Sequence, residues 1–391
     1  MKAQSIVSPE DQSATFVELF FDLVFVFSVT QIVGLLHEGI TWITIGQAIL
    51  VFWLVWWAWT QFTWALNAAD TTHSLVELST LVATGVAFFM AVALPDAFHG
   101  GGLWFALPYV LVRIIGLGLY IWVASADPSQ RAAVQRFGLV SIGGLAAVLI
   151  GGFIGGSIQY WMWGVAILLD VLAAVVGGEA EGWNLHHEHF GERHGLFVII
   201  ALGESLIIAA SGMTHAAWTS NLVIISILAV TITCALWWSY FPCTKHQIDH
   251  VLEALHGAEQ SRLARDVYSL FHFPMLCGII AYAVAIEEIV AHPSEPLEFE
   301  GRAALALGLI LFVGGMVVAF WRAAGRLLLS RLIFTIVTAV LIVAMSGIAP
   351  LLSLTIALIG LLIIIAMEEW SRTIPISAPH HAQLPSDVKE A

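Results

Sequence analysis

Charge is scarce in this chain: only 11% of its 391 residues are Asp, Glu, Lys or Arg. A soluble domain of this size could not hide the accompanying apolar surface. Basic residues are rarest, 14 against 28 acids, for a net charge of −14. No basic face exists, which excludes a nucleic-acid partner. Cysteine is nearly absent. Cys234, Cys243 and Cys277 have neither disulfide nor metal spacing. Cys234 falls inside an apolar run and is expected to be a small buried residue. A basic segment ending in a cleavage site is also missing from the first 16 residues. The first apolar run is therefore expected to be an uncleaved anchor.

What remains is hydrophobic: 59% of the residues, with 16 Trp. Apolar stretches of roughly membrane-spanning length fall near 17–37, 42–66, 72–94, 103–125, 134–153, 160–178, 195–213, 218–241, 267–291, 302–322, 331–348 and 350–370. Turn chemistry separates them at Pro95 with His99-Gly100-Gly101-Gly102, at Asp127-Pro128, at Gly155-Gly156 and at Ala349-Pro350. The expected fold is all-α and polytopic, with about twelve transmembrane helices. If the N-terminus is cytoplasmic, that side receives Lys2, Arg131, Arg136, Arg193, Lys245, Arg262, Arg265, Arg322, Arg326, Arg331, Arg372 and Lys389. The opposite loops receive only Arg302, and Arg113 stays within a span. That asymmetry satisfies the positive-inside rule and puts both termini in the cytoplasm. The bilayer is the obligatory partner.

The two halves resemble each other. WLVWWAWTQF in span 2 answers CALWWSYF in span 8. THSLVELSTL in span 3 answers VYSLFHFPML in span 9, setting Glu77 against His272. Gly116 and Trp122 in span 4 answer Gly315 and Trp321 in span 10, and Thr30-Gln31 align with Glu204-Ser205. The expected organisation is a cytoplasmic segment 1–16, a six-helix repeat 17–178, a cytoplasmic His/Glu-rich linker 179–194, a second repeat 195–370 and a disordered tail 371–391. Six spans per half give both repeats the same orientation.

Ionisable groups at membrane depth are costly and face an interior or a cavity. Arg113, Asp170 and Glu204 lie near mid-span. Asp22, Glu77 and His272 lie in the cytoplasmic third. With Thr30, Gln31 and Ser205 they form the candidate substrate or ion pathway. Arg113 can pair with Asp170 or with Glu204; the acid left over is a candidate protonation site for a coupled transporter. The bland alternative is a set of fixed interhelical ion pairs. The linker GGEAEGWNLHHEHFGERHG supplies His186, His187, His189 and His194 among glutamates including Glu179 and Glu181. Its donors suit a transition metal, but the spacing matches no defined motif. No cofactor is assigned, and the histidines stand as weak metal candidates. Residues 242–266 repeat apolar positions at Ile248, Val251, Leu252, Leu255 and Leu263, and read as an amphipathic surface helix. Trp53, Trp56, Trp57 and Trp59 read as packing, and Trp42 and Trp64 as interface anchors.

Three segments carry a family likeness. VELFFDLVFVFSVTQI (17–32), ERHGLFVIIALGES (192–205) and WWSYF (237–241) resemble the signatures of the bacterial low-temperature-requirement A proteins. The resemblance spans about Phe16 to Glu369. It implies that Glu18, Phe21, Asp22, Gln31, Glu192, Arg193, Gly195, Gly203, Glu204 and Ser205 carry the family pattern. It also implies an integral protein of the bacterial inner membrane with a cold-growth phenotype, and names no substrate. Phe21-Asp22-x-Val24-Phe25 is similar to the opening motif of two-repeat, twelve-span endosomal potassium channels, but the second half lacks it. Three functions follow: a secondary transporter or ion pathway for a small solute or ion, which the mid-span acids favour; a non-catalytic membrane organiser in cold or stress adaptation; and a metal-dependent membrane enzyme. The loop after span 2, NAADTTHS, lacks the basic motif of the major facilitators.

Overall fold

The computed structural model describes residues 6–9, 12–37, 39–126, 128–178, 185–215 and 218–372. Lys2, Glu179, Glu181 and the tail beyond Arg372 lie outside them. The described chain is built of helices: α1 (Phe16–His37), α2 (Trp42–Ala68), α3 (Ser74–Val92), α4 (Gly102–Ala124), α5 (Pro128–Ile154), α6 (Gly156–Gly178), α7 (His187–His215), α8 (Ser220–Trp238), α9 (His246–Glu253), α10 (Gly257–Ala264), α11 (His272–Ala291), α12 (Phe299–Ala324), α13 (Leu329–Ala344) and α14 (Pro350–Arg372). Among the described residues, eleven apolar helical segments are long enough to cross a bilayer. The 16-residue α13 is the shorter twelfth. At 1.5 Å per residue it reaches about 24 Å, less than the ~30 Å hydrocarbon core. Large apolar side chains such as Leu139 and Trp161, each 75% exposed, face outward. In a bilayer such a surface meets acyl chains, so every long helix can satisfy its own backbone there.

Neighbour relations recur along the chain. In the first half α1 packs on α2 and α3, α2 on α4 and α6, α3 on α4, α4 on α5 and α5 on α6. In the second, α7 packs on α8 and α11, α8 on α14, α11 on α12, α12 on α13 and α13 on α14. The halves meet where α1 and α2 contact α7 and α11, and where α6 contacts α10. Tight crossings rest on small residues. A Cβ on Gly278 of α11 would lie 2.7 Å from the Gly308 carbonyl of α12. The α5–α6 break sits at Gly155 and Gly156, with φ of 72° and 58°.

Three expectations are corrected. Helix α7 begins at His187, not near 195, so much of the expected linker forms its first turns. Residues 242–266 are not one surface helix. α8 passes through a π-helical turn, Ser239–Lys245, into α9; α10 passes through a second, Arg265–Leu270, toward α11. Ile248, Leu252 and Leu263 are buried against Phe190, Tyr268 and Ala319, so the apolar face is spent on the protein and not on lipid. Cys234 faces outward, while Cys243 is the buried one. Residue type alone cannot say which face of a uniformly apolar helix turns inward.

Candidate functional site

The most densely charged interior cluster lies where α1, α2 and α7 meet. Its first member comes from a helix cap. Thr15 precedes α1, and Glu18 three residues later reaches back, accepting from Thr15 N at 2.9 Å and Thr15 Oγ1 at 2.9 Å. Glu18 Oε1 also lies 3.0 Å from His189 Nε2 and 3.4 Å from Arg193 Nη1. One turn further, Asp22 Oδ1 accepts from Arg193 Nη2 and from Trp59 Nε1, the latter at 2.6 Å. The guanidinium stands 5.4 Å from the centre of a Trp59 ring. Glu18, Asp22, Trp59, His189 and Arg193 are fully buried.

Asn67 at the end of α2 orients the histidine. Its Oδ1 accepts from His186 N at 3.1 Å, and its Nδ2 donates to His186 O at 2.9 Å. The backbone thus fixes which end of the amide is which. Nδ2 lies 3.1 Å from His189 Nδ1 and donates to it, leaving Nε2–H to donate to Glu18. Two carboxylates face one guanidinium and one imidazole, and Asp22 Oδ2 is buried without a hydrogen-bond partner.

A second set adjoins the first through ring contacts. His194 packs edge-on against Trp59 at 4.9 Å and lies 5.6 Å from His272, centre to centre. Each histidine is anchored through Nδ1, His194 to Phe190 O at 2.8 Å and His272 to Val267 O at 2.9 Å. Tyr240 OH donates to His272 Nε2 at 2.6 Å. Tyr268 packs against both rings and donates to Asp249 of α9, which Lys245 meets at 2.5 Å. Gly191 and Gly195, one turn apart on α7, make room for this. A Cβ on Gly191 would lie 2.8 Å from Asp249 Oδ1, and one on Gly195 2.9 Å from Lys245 Cε.

The remaining sequence candidates fall elsewhere. Arg113 pairs with Asp170, Nη2 to Oδ1 at 3.0 Å, which settles the choice left open against Glu204. Its other donors reach Tyr109 OH at 2.6 Å and Gln61 Oε1. Glu204 is buried in the other half of α7, within hydrogen-bonding reach of Thr30 and in the field of Glu287. Ser205 Oγ meets Thr233 Oγ1 at 3.0 Å. Gln31 is half-buried and Gly203 partly exposed. Glu77 is exposed on the first turn of α3, in a different setting from the buried His272. Glu192 is exposed and accepts from Ala14 N at 3.0 Å, tethering the N-terminal segment to α7. Among the described residues, no group of three or more His, Cys, Asp or Glu side chains is placed to hold a metal. His186 and His187 are partly exposed, and His189 and His194 are committed to the partners above.

Sequence reasoning missed Trp59, Gln61, Asn67 and Tyr268. The signal for Gln61 and Asn67 was available, since both are polar in a long apolar helix. For Trp59 and Tyr268 nothing in the sequence separates a bonded ring from a packed one. Trp64, read as an interface anchor, donates to Ser269 Oγ at 3.0 Å and is partly buried.

The family model described as bacterial low temperature requirement A protein (LtrA) matches residues 13–367. A protein of Rhizobium meliloti (strain 1021), described as uncharacterized, is 28% identical over 316 residues, covering 78% of this chain and 76% of the relative. No solved structure matches the chain.

Proposed function

The chain belongs to the bacterial low temperature requirement A family, and on that premise we propose that it is a secondary transporter or ion pathway whose polar site lies between two six-helix repeats. The observation that carries this is the buried Glu18–Asp22–Arg193–His189 cluster joining α1 to α7, with two carboxylates against one guanidinium. A pair serving structure alone would balance its charge, because an uncompensated buried ion is strongly destabilising. An excess acid at the seam is a place where a proton or small cation binds and leaves. The recurring neighbour pattern supports the two-repeat reading, with the seam as the surface along which the halves rock. Glu204, with Thr30 near it, extends the path along the same two helices. The role proposed is non-enzymatic, in the bacterial inner membrane with both termini cytoplasmic.

The test is solute and ion flux in reconstituted liposomes under a pH gradient, comparing the parent with Asp22→Asn and Glu204→Gln. Flux in the parent, strongly reduced in Asp22→Asn, is the expected result. Flux that ignores both substitutions sinks the seam as the pathway. The absence of flux across a panel of ions and solutes favours the second reading, a non-catalytic membrane organiser. That reading draws on Arg113–Asp170, a buried pair of one cation and one acid, and on Arg331–Glu368, whose carboxylate is partly exposed.

A further inference from the structure

A separate cavity of about 50 Å³ lies where helices of the first half meet α10 and the π-helical turn after it, apart from the Glu18–Arg193 cluster. Its wall comes from α2 (Trp57, Thr60, Gln61, Trp64), α4, α5 and α6, closed by Ser261 of α10 and by Arg265 and Ser269 of the π-helical turn that follows. Most of the wall is aromatic or aliphatic. Three of its residues nevertheless carry polar atoms that are buried without a hydrogen-bond partner: Trp57 Nε1, Thr60 Oγ1 and Ser261 Oγ. All three side chains belong to residues no more than 4% exposed. Orphaned polar atoms of this kind are rare in folded proteins, and each costs about 1–3 kcal/mol when left unmet. Three around one small cavity is a pattern and not a scatter.

Charge narrows the occupant. Arg265 is the only charged residue on the wall, and Asp266 Oδ1 holds it at 2.6 and 2.9 Å. The wall therefore offers no free charge to an ion. It offers one indole N–H and two hydroxyls, which suit a small uncharged molecule able both to donate and to accept. Size narrows the occupant again. At about 30 Å³ per water, the space takes one or two water-sized groups. Gln61 at the inner wall leads onward: its Nε2 donates to Arg113 O at 3.0 Å, and its Oε1 accepts from Arg113 Nε. Beyond lies the buried Asp170, which pairs with Arg113.

We propose that this cavity is a hydrated pocket in which Trp57, Thr60 and Ser261 bind water, the small neutral ligand, and that it brings solvent up to the Gln61–Arg113–Asp170 group. The pocket shares no lining residue with the Glu18–Asp22–Arg193 cluster: it stands if no solute crosses between the halves, and it can fail while flux through that cluster remains.

Hydroxyl-radical footprinting by water radiolysis tests it on the intact protein in detergent or nanodiscs, because only side chains beside bound water are oxidised quickly. Trp57 should be modified several-fold faster than Trp163, an equally buried indole that donates to Val148 O at 3.1 Å and does not wall the cavity. Filling the space with Ala174→Leu, or removing both hydroxyls with Thr60→Val and Ser261→Ala, should bring the Trp57 rate down to that of Trp163. The Trp163 rate in each variant reports whether the fold is intact. Equal rates at Trp57 and Trp163 in the parent overturn the proposal. So does a fast Trp57 that neither substitution slows while Trp163 stays slow.

Discussion

Asp22 shows how far a residue can be read before its neighbours are known. An acid at membrane depth must find a partner, so the cost of burial alone marked it as interior. The identity of that partner was not legible. Arg193 stands 171 positions away, in a stretch that composition read as a solvated linker. His189 was assigned to the same linker and is bound at both nitrogens by residues of α1 and α2. Removing one member of such a network leaves buried charge unmet. Arg193→Met should therefore cost about 3–5 kcal/mol, read as a large drop in the melting temperature of the purified protein. Arg322→Met, on a half-exposed pair with Asp266, should shift it little. Trp59→Phe keeps the ring packing and deletes the N–H that Asp22 accepts, at a cost of about 1.5–3 kcal/mol for a bond to a charged group. Equal melting of Trp59→Phe and the parent would mean that Asp22 does not depend on that indole.

At the scale of the element, the long helices were legible and their ends were not. Hydropathy finds a span because a bilayer imposes length and apolarity together. It says nothing about where a helix continues past the hydrocarbon, and α7 gains its first turns from protein contacts. The short helix α9 was visible by its period, but its apolar face could serve lipid or protein equally well. Gly191 decides between them in the fold, since it lets Asp249 and Tyr268 approach the α7 backbone. Gly191→Val should push α9 away from α7 and loosen the turn at 254–256, which is already at the surface. Limited proteolysis should then cut there several-fold faster than in the parent. Gly203→Ala, whose Cβ would meet nothing within 4 Å, is the control. Unchanged cutting in Gly191→Val would show that α9 is held by other contacts.

The whole molecule poses the question of how independent its halves are. Weak repeats in the sequence suggested two six-helix units, and most helix contacts fall within a half, with the halves joined through α1 and α2 against α7 and α11 and through α6 against α10. The strong contacts within a half include distant pairs such as α8 on α14 and α7 on α11. A chain built this way should tolerate a cut between the halves. Co-expression of residues 1–181 and 182–391 as separate chains should yield a complex that co-purifies from membranes, because each piece can insert and pack before they meet. The seam then carries the whole association, and its most buried contacts are the Glu18 and Asp22 bonds to Arg193. Arg193→Met in the second piece should reduce co-purification sharply. The same piece bearing Arg331→Met, a substitution confined to the second half, should reduce it much less. If the pieces fail to associate although each is found in the membrane, the halves are not separable units, and rocking along the seam loses its structural basis.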